Sequence, residues 1–290
     1  MDLQNLEIVE ISNELTPFLN RYYYANQQLQ QPFKLTVMPT CHAFFSNSFS
    51  GNPPGTEYTI DGKKVLRDSK WRLGGPVLNH QIQVYEPKEL CIVFCVLKPT
   101  ALFRLFGIYG DTIAGNNLCI SKLAPEQAEL ARQCFTTDHC ANKQVHLKEA
   151  DKFFTELAVQ AHDGDTLVEE AVRILENCNG ALSVADLCKQ VDANHRTLYR
   201  KFKKIVGLPP KYFSKLLQIN WVVGNLLSND QAVLSEIALE AGFFDQAHFS
   251  KVLGAFFQHS PKAFIDSQHV ELATYFSALN KTGQIIALKN

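Results

Sequence analysis

The opening residues, MDLQNLEIVEISNEL, carry acids and no apolar stretch of the kind a secretory leader needs, so we expect no export and a cytoplasmic location. No segment of the 290 residues approaches the roughly 18 consecutive apolar residues of a spanning helix, and no membrane partner is expected. The longest apolar run, near Leu90–Leu97, has the length of a buried strand. Neither sign of charge is in excess: 28 Lys+Arg against 29 Asp+Glu leave a formal charge of −1. The eight cysteines contain no CxxC pair, which removes the common zinc and thiol-redox spacings. We expect reduced, buried thiols, with Cys91 and Cys95 four apart on one face of a strand. His42 and His80 are isolated, with no clustered HxH, so no metal and no cofactor are expected.

A near-neutral chain that binds nucleic acid must concentrate its positive charge locally. This one does. Between Ala193 and Leu216 lie Arg196, Arg200, Lys201, Lys203, Lys204, Lys211 and Lys215, with no Asp or Glu among them. With 46% hydrophobic and 20% charged residues, the length suits two globular cores.

Residues 1–120 read as mostly strand. KLTVMPT, HAFFSNSF, EYTIDGKKVL, HQIQVYEP and LCIVFCVLKP are short apolar or alternating runs, separated by NPPG, DGK, GGP and EPKE turn chemistry. Short strands at this spacing suggest a sandwich or barrel. The period changes over 122–160, where Pro125 opens one helix and KEADKFFTELAVQ forms another. AHDGD at 161–165 is the best boundary. From there the pattern is helical: in TLVEEAVRILENC, Thr166 and Glu169 form a capping box. Leu167, Val168, Ala171, Val172 and Leu175 share a face, and Asn179-Gly180 ends the helix.

A repeat follows. LSVADLCKQVDANHRTLYRKFKKIVGLPPKYF (182–213) is echoed by VLSEIALEAGFFDQAHFSKVLGAFFQHSPKAF (233–264). Leu187 matches Ile237 at an offset of 50, whereas Leu198 matches Phe249 at 51. The one-residue change falls in the turn between the two helices of each unit, since turns absorb insertions and packed helices do not. Each unit reads as helix, turn, helix. Ser183 and Asn194 are N-caps in the first, and Asp245 caps the later helix of the second. HRTLYRKFKKIVG buries Leu198, Phe202 and Ile205, which turns Arg196, Tyr199, Arg200 and Lys203 outward. An outward Arg and Tyr stripe on a second helix suits the major groove.

With these residues in view, 165–267 resembles the DNA-binding domain of the AraC/XylS family. The quoted stretches are LYRKFKKIVGLPPKYF and IALEAGFFDQAHFSKVL…HSPKAF. The resemblance implies two helix-turn-helix units joined by a long helix, PKYFSKLLQINWVVGNLLS. Carried over, it implies that Arg196, Tyr199 and Arg200 meet base edges and that Lys203 and Lys204 meet phosphate. Tyr199 has packing as its alternative. In the second unit the reading positions are Gln246, Ala247, Ser250 and Lys251. Departures are Gln218 where an Arg is common, Gly224 for Ala, Gly254 and Ala255 for basic residues, and Gln258 for Gly. From Ser228 to Ser267 the only bases are Lys251 and Lys262, so the first unit is expected to dominate affinity.

The expected fold class is α+β with two domains. An N-terminal β-rich (sandwich or cupin-like) domain with flanking helices spans 1–160. An all-α, homeodomain-like double helix-turn-helix domain spans 161–267, with units at about 183–205 and 234–257 around a linker at 209–228. A tail helix lies in 268–290. The Tyr22-Tyr23-Tyr24 run, GGP at 74–76 and VFCVLKPTALFRLFG (93–107) resemble an uncharacterised β-rich domain that fronts some AraC-type regulators. Phe44, Phe45, Tyr58, Trp71, Tyr85 and Phe94 are either core or the lining of a small-molecule pocket.

The resulting expectation is a DNA-binding transcription regulator, an activator answering to a small molecule. Double-stranded DNA, RNA polymerase and a second copy of the chain are its partners. The alternative is a constitutive regulator whose N-terminal domain only dimerises. An alkyl-transfer enzyme would need a reactive thiol in a clear motif. Cys134 near Arg132 and Cys140 beside His139 are its nearest approximations, so no enzyme is expected.

Overall fold

The computed structural model describes residues 6–28, 33–37, 39–49, 57–60, 63–66, 70–77, 82–86, 89–119, 122–137, 139–228, 233–257, 260–261 and 263. The chain divides into two compact units. One comprises Asn5–Val168 together with Arg200–Leu208; the other holds Glu169–Tyr199 and the chain from Pro209 onward.

The first unit is built on two antiparallel sheets. The six-stranded one runs in the order β1 (Leu6–Val9), β2 (Leu19–Gln28), β9 (Glu89–Leu97), β4 (Phe44–Ser48), β7 (Trp71–Gly74) and β10 (Asn117–Cys119). The four-stranded one runs β3 (Phe33–Val37), β8 (Ile82–Glu86), β5 (Glu57–Ile60) and β6 (Lys63–Leu66). EYTIDGKKVL is therefore two strands, with Glu57 opposite Leu66.

Strands β2 and β9 pair in the middle of the larger sheet, with Tyr22 opposite Cys95 and Tyr24 opposite Val93. Tyr22, Tyr23 and Tyr24 are all buried, so both faces of this sheet are covered. Phe45 lies on the Tyr22 face and packs against Phe135, Phe153 and Phe154, with ring centroids 5.2–5.6 Å apart. Phe135 directly follows α3 (Pro125–Cys134), and Phe153 and Phe154 lie on α4 (Lys143–Val159). On the opposite face, Phe94 stacks with Phe44 at 4.9 Å and meets Tyr23 at 6.2 Å. The aromatics grouped from the sequence thus divide between two faces of the sheet. Trp71 joins the first, 6.0 Å from Phe135. The side chains of Tyr58 and Tyr85, and His80, lie outside the described residues.

Several local expectations are corrected. Among the described residues of 1–120, the strands are joined by a 3-10 turn (Asn13–Leu15) and by the short helices α1 (Ala101–Phe106) and α2 (Gly110–Ile113), and α1 ends at Gly107 with φ +67°. Helix α4 starts five residues earlier than its apolar stripe suggests, because the Asn142 side chain accepts from the Gln144 N–H. The cap of α5 (Thr166–Asn177) is Asp165, whose carboxylate accepts from the Val168 N–H at 3.2 Å, so Thr166 stands inside the helix. The tail, including HVELATYFSAL, lies outside the described residues.

In the second unit come α6 (Val184–Gln190), the start of α7 (His195–Val206), α8 (Pro210–Ser228), α9 (Leu234–Glu240) and α10 (Gln246–Phe257). Its core includes Leu175, Leu187, Leu198, Phe213, Leu216, Ala238, Phe249 and Leu253, all buried. Gly180 ends α5 at φ +75°, and its N–H reaches back to the Leu175 carbonyl at 2.8 Å. A side chain there would sit 2.2 Å from the Ser214 carbonyl oxygen, so only glycine allows α5 to end against α8.

Candidate nucleic-acid interface

Both turns between paired helices are built alike. In α6–α7, Asp192 takes φ +48° and the Ala193 N–H donates to the Cys188 carbonyl at 3.0 Å. In α9–α10, Gly242 takes φ +81° and the Phe243 N–H donates to the Ala238 carbonyl, again at 3.0 Å. The next helices are capped equivalently: the Asn194 side chain accepts from the Thr197 N–H, and the Asp245 carboxylate from the His248 N–H. Matching these two frames isolates the extra residue of the second unit as Phe244. It is 84% exposed, immediately before the Asp245 cap. Sequence reading missed this residue; the one-residue change in offset was the signal that could have found it.

On α7 the inward residues Leu198, Phe202 and Ile205 are buried, while Arg196, Tyr199, Arg200, Lys203 and Lys204 are exposed. Tyr199 is 40% exposed and stacks on His195. Lys204 is engaged: its ammonium lies 3.9 Å over the Tyr109 ring. Lys201 pairs with Asp165 at 2.8 Å. Within the first unit, Arg200, Lys201, Lys204 and Ile205 line a cleft of about 360 Å³ with Phe103, Tyr109, Asp163, Gly164 and Asp165. Basic, aromatic and acidic side chains thus share its lining, with Lys201 and Asp165 in direct contact.

On α10, Gln246, Ala247 and Lys251 are exposed and Ser250 is half-buried. The Ser250 hydroxyl donates to the Gln246 carbonyl one turn back. His248 instead serves its own turn, accepting from the Phe244 N–H at 3.3 Å and meeting the Phe243 ring at 5.6 Å.

Gln218 connects the linker helix to the second turn. Its amide donates to the Ala241 carbonyl at 2.7 Å and its oxygen accepts from Lys215 at 2.7 Å. The Lys215 ammonium lies 4.6 Å over the Phe243 ring. Burial, aided by the nearby Lys211 charge, lowers the Lys215 pKa.

A second constellation lies in the first unit, where sequence spacing showed none. Cys91 of β9 and Cys140 of the loop before α4 are joined, and His146 of α4 stands beside them. Their sulfur and nitrogen atoms lie within 4.8 Å of one another, a donor set that could hold a soft cation once the thiols are reduced. The expectation that all eight cysteines are reduced thiols is corrected at this pair.

No helix among the described residues is long and apolar enough to cross a membrane. A family model described as a helix-turn-helix domain matches residues 187–267. The melibiose operon regulatory protein of Escherichia coli K12 is 30% identical over 91 residues, covering 31% of this chain and 30% of its own length. Its counterpart in E. coli O6:H1 strain CFT073 matches to the same extent. The chain thus spans about 30% of the length of the curated relatives it matches. Among solved structures, ToxT from Vibrio cholerae is 12% identical with a TM-score of 0.46, over 84% of this chain and 97% of that one. The AraC-like transcriptional activator CuxR is 11% identical with a TM-score of 0.24, over 73% and 85%. The doubled helix pairs, their capped turns and the matched segment together define residues 187–267 as a helix-turn-helix domain.

Proposed function

We propose that the chain is a sequence-specific DNA-binding transcription regulator that reads two major-groove segments, one with each helix-turn-helix unit. The observation that carries this reading is α7. It buries one apolar face and exposes Arg196, Tyr199, Arg200 and Lys203 on the other, with no acid on the helix. Arg196 and Arg200 have the planar donor fork that grips guanine O6 and N7, and Lys203 is placed for phosphate. Lys204 reaches phosphate only on leaving Tyr109. In the second unit Gln246, Ala247, Ser250 and Lys251 read bases, and the exposed Phe244 ring offers apolar contact to a thymine methyl. With Lys251 the only base of α10, the second unit adds selectivity more than electrostatic affinity.

The reading includes a small-molecule effector. The cleft lined by Phe103, Tyr109, Arg200, Lys201 and Lys204 supports it, since it combines aromatic walls with convergent polar groups. The test is selection of genomic fragments by the purified full-length protein at ~150 mM salt, fixed because phosphate contacts make affinity steeply salt-dependent. Recovery of one motif with two half-sites about one helical turn apart supports the double reader. Sequence-independent recovery overturns it.

A further inference from the structure

From the Cys91–Cys140 pair and its neighbour His146 we infer that the first unit contains a thiol oxidation site that answers to hydroperoxides, independent of how the chain reads DNA. The two cysteines are 49 residues apart in the chain, and their Cα atoms stand 5.9 Å apart, within the span a disulfide bridges without moving the backbone. The members are unequal in access. Cys140 is exposed, whereas Cys91 is 1% exposed beneath the sheet's helical cover. Cys140 therefore meets the oxidant and Cys91 resolves the product.

The loop bearing Cys140 is held in place by contacts other than the sulfur bond. One Glu149 carboxylate oxygen accepts from the N–H and hydroxyl of both Thr136 and Thr137, at 2.8–3.1 Å. Asn142 caps α4, and the Ala141 N–H donates to His146 Nε2 at 3.0 Å. Reduction thus leaves the two sulfurs adjacent. His146 is fully buried, stacked on Phe49, and its Nε2 lies 3.9 Å from the Cys91 sulfur. Cys95, four residues along the same strand, is buried with its thiol pKa pushed well up by desolvation, and it makes a poor nucleophile beside this pair.

The chemistry balances in two steps. The Cys140 sulfur attacks a peroxide oxygen and the O–O bond breaks. The leaving alkoxide takes the thiol proton as alcohol, or as water from hydrogen peroxide, and Cys140 becomes a sulfenic acid. The Cys91 sulfur then attacks the Cys140 sulfur and the S–O bond breaks. Hydroxide leaves as water with the Cys91 proton. The two cysteines lose two electrons to the peroxide. A dithiol reverses the bond by exchange and is itself oxidised to a disulfide.

The experiment uses the reduced full-length chain and one equivalent of hydrogen peroxide, with no DNA present. The titratable thiols of the denatured protein should fall by two from eight. Peptide mapping should find Cys91 bridged to Cys140. Cys140→Ser, a change at an exposed position, should keep its remaining thiols. Cys91→Ser should accumulate a sulfenic acid trapped by dimedone at Cys140. A thiol count that stays at eight, a bridge between other cysteines, or equal thiol loss in Cys140→Ser would overturn the site. So would one-to-one zinc uptake by the reduced protein that blocks oxidation, which would make the cluster a metal site instead.

Discussion

The Gln218 side-chain amide donates to the Ala241 carbonyl at 2.7 Å, with both groups buried, and ties the linker helix to the turn that aims α10. This is the position where the AraC/XylS resemblance leads one to expect arginine. The amide makes this bond without a buried charge, and its oxygen accepts from Lys215. Gln218→Leu should leave the Ala241 carbonyl unpaired and destabilise the helical unit by about 1–3 kcal/mol. Chemical denaturation followed by helix content checks this; an unchanged midpoint would show that the bond contributes nothing.

Gly180→Ala and Gly242→Ala should differ. Both residues have positive φ, which alone costs about 1–3 kcal/mol for a side-chain-bearing residue. At Gly180 the new methyl would also meet the Ser214 carbonyl oxygen at 2.2 Å, a backbone atom that cannot yield cheaply. At Gly242 its nearest neighbour is the Gln218 amide nitrogen at 3.1 Å, a contact relieved by a shift of about a few tenths of an ångström. Thermal unfolding of the two variants should therefore place Gly180→Ala well below Gly242→Ala.

His42 gives the β-rich unit a defined acid dependence. It is fully enclosed and donates from Nδ1 to the Leu97 carbonyl at 3.1 Å. Burial lowers its pKa from 6.5 to about 4. The unfolded chain therefore binds the proton more readily than the folded one. This contribution is complete above pH 6.5 and is lost as the pH falls towards 4. The full loss is on the order of 3 kcal/mol. The fall in stability between pH 7 and 4 should be shallower in His42→Gln than in the parent; parallel curves would contradict the assignment.

The two helix-turn-helix units should show unequal salt behaviour. Lys203→Ala should weaken binding similarly on all DNA sequences and reduce the salt slope by about 1. Phe244→Ala should leave stability unchanged, because the ring is exposed, and should relax preference at one base pair of the second half-site. Lys251→Ala should cost less affinity than Arg200→Ala; the reverse order would contradict the dominance of the first unit.

Much of the helical region was legible because its signals are local. Ser183, Asn194 and Asp245 act within four residues of themselves, and the buried Leu198, Phe202 and Ile205 follow the helical period. Strand β2 was not legible. Its Tyr22-Tyr23-Tyr24 run shows no alternation, because the sheet is covered on both faces. Helix α1 was hidden in the apolar run 93–107, where a strand and a helix follow each other across Pro99-Thr100. The Cys91–Cys140–His146 cluster has no short-range signature, since β9 and the start of α4 meet only on folding. The engagement of Lys204 by Tyr109 is likewise a long-range contact that outward helical periodicity cannot reveal.

Base reading by α7 is tested by competition binding at ~150 mM salt. The parent chain and the Arg196→Ala/Arg200→Ala double variant are compared on the selected site and on a scrambled duplex of equal length. Each arginine is worth about 1–3 kcal/mol of discrimination. The parent should prefer the selected site strongly, and the double variant should lose that preference by about tenfold or more while keeping its weaker grip on the scrambled duplex. An unchanged preference in the double variant would place recognition outside α7.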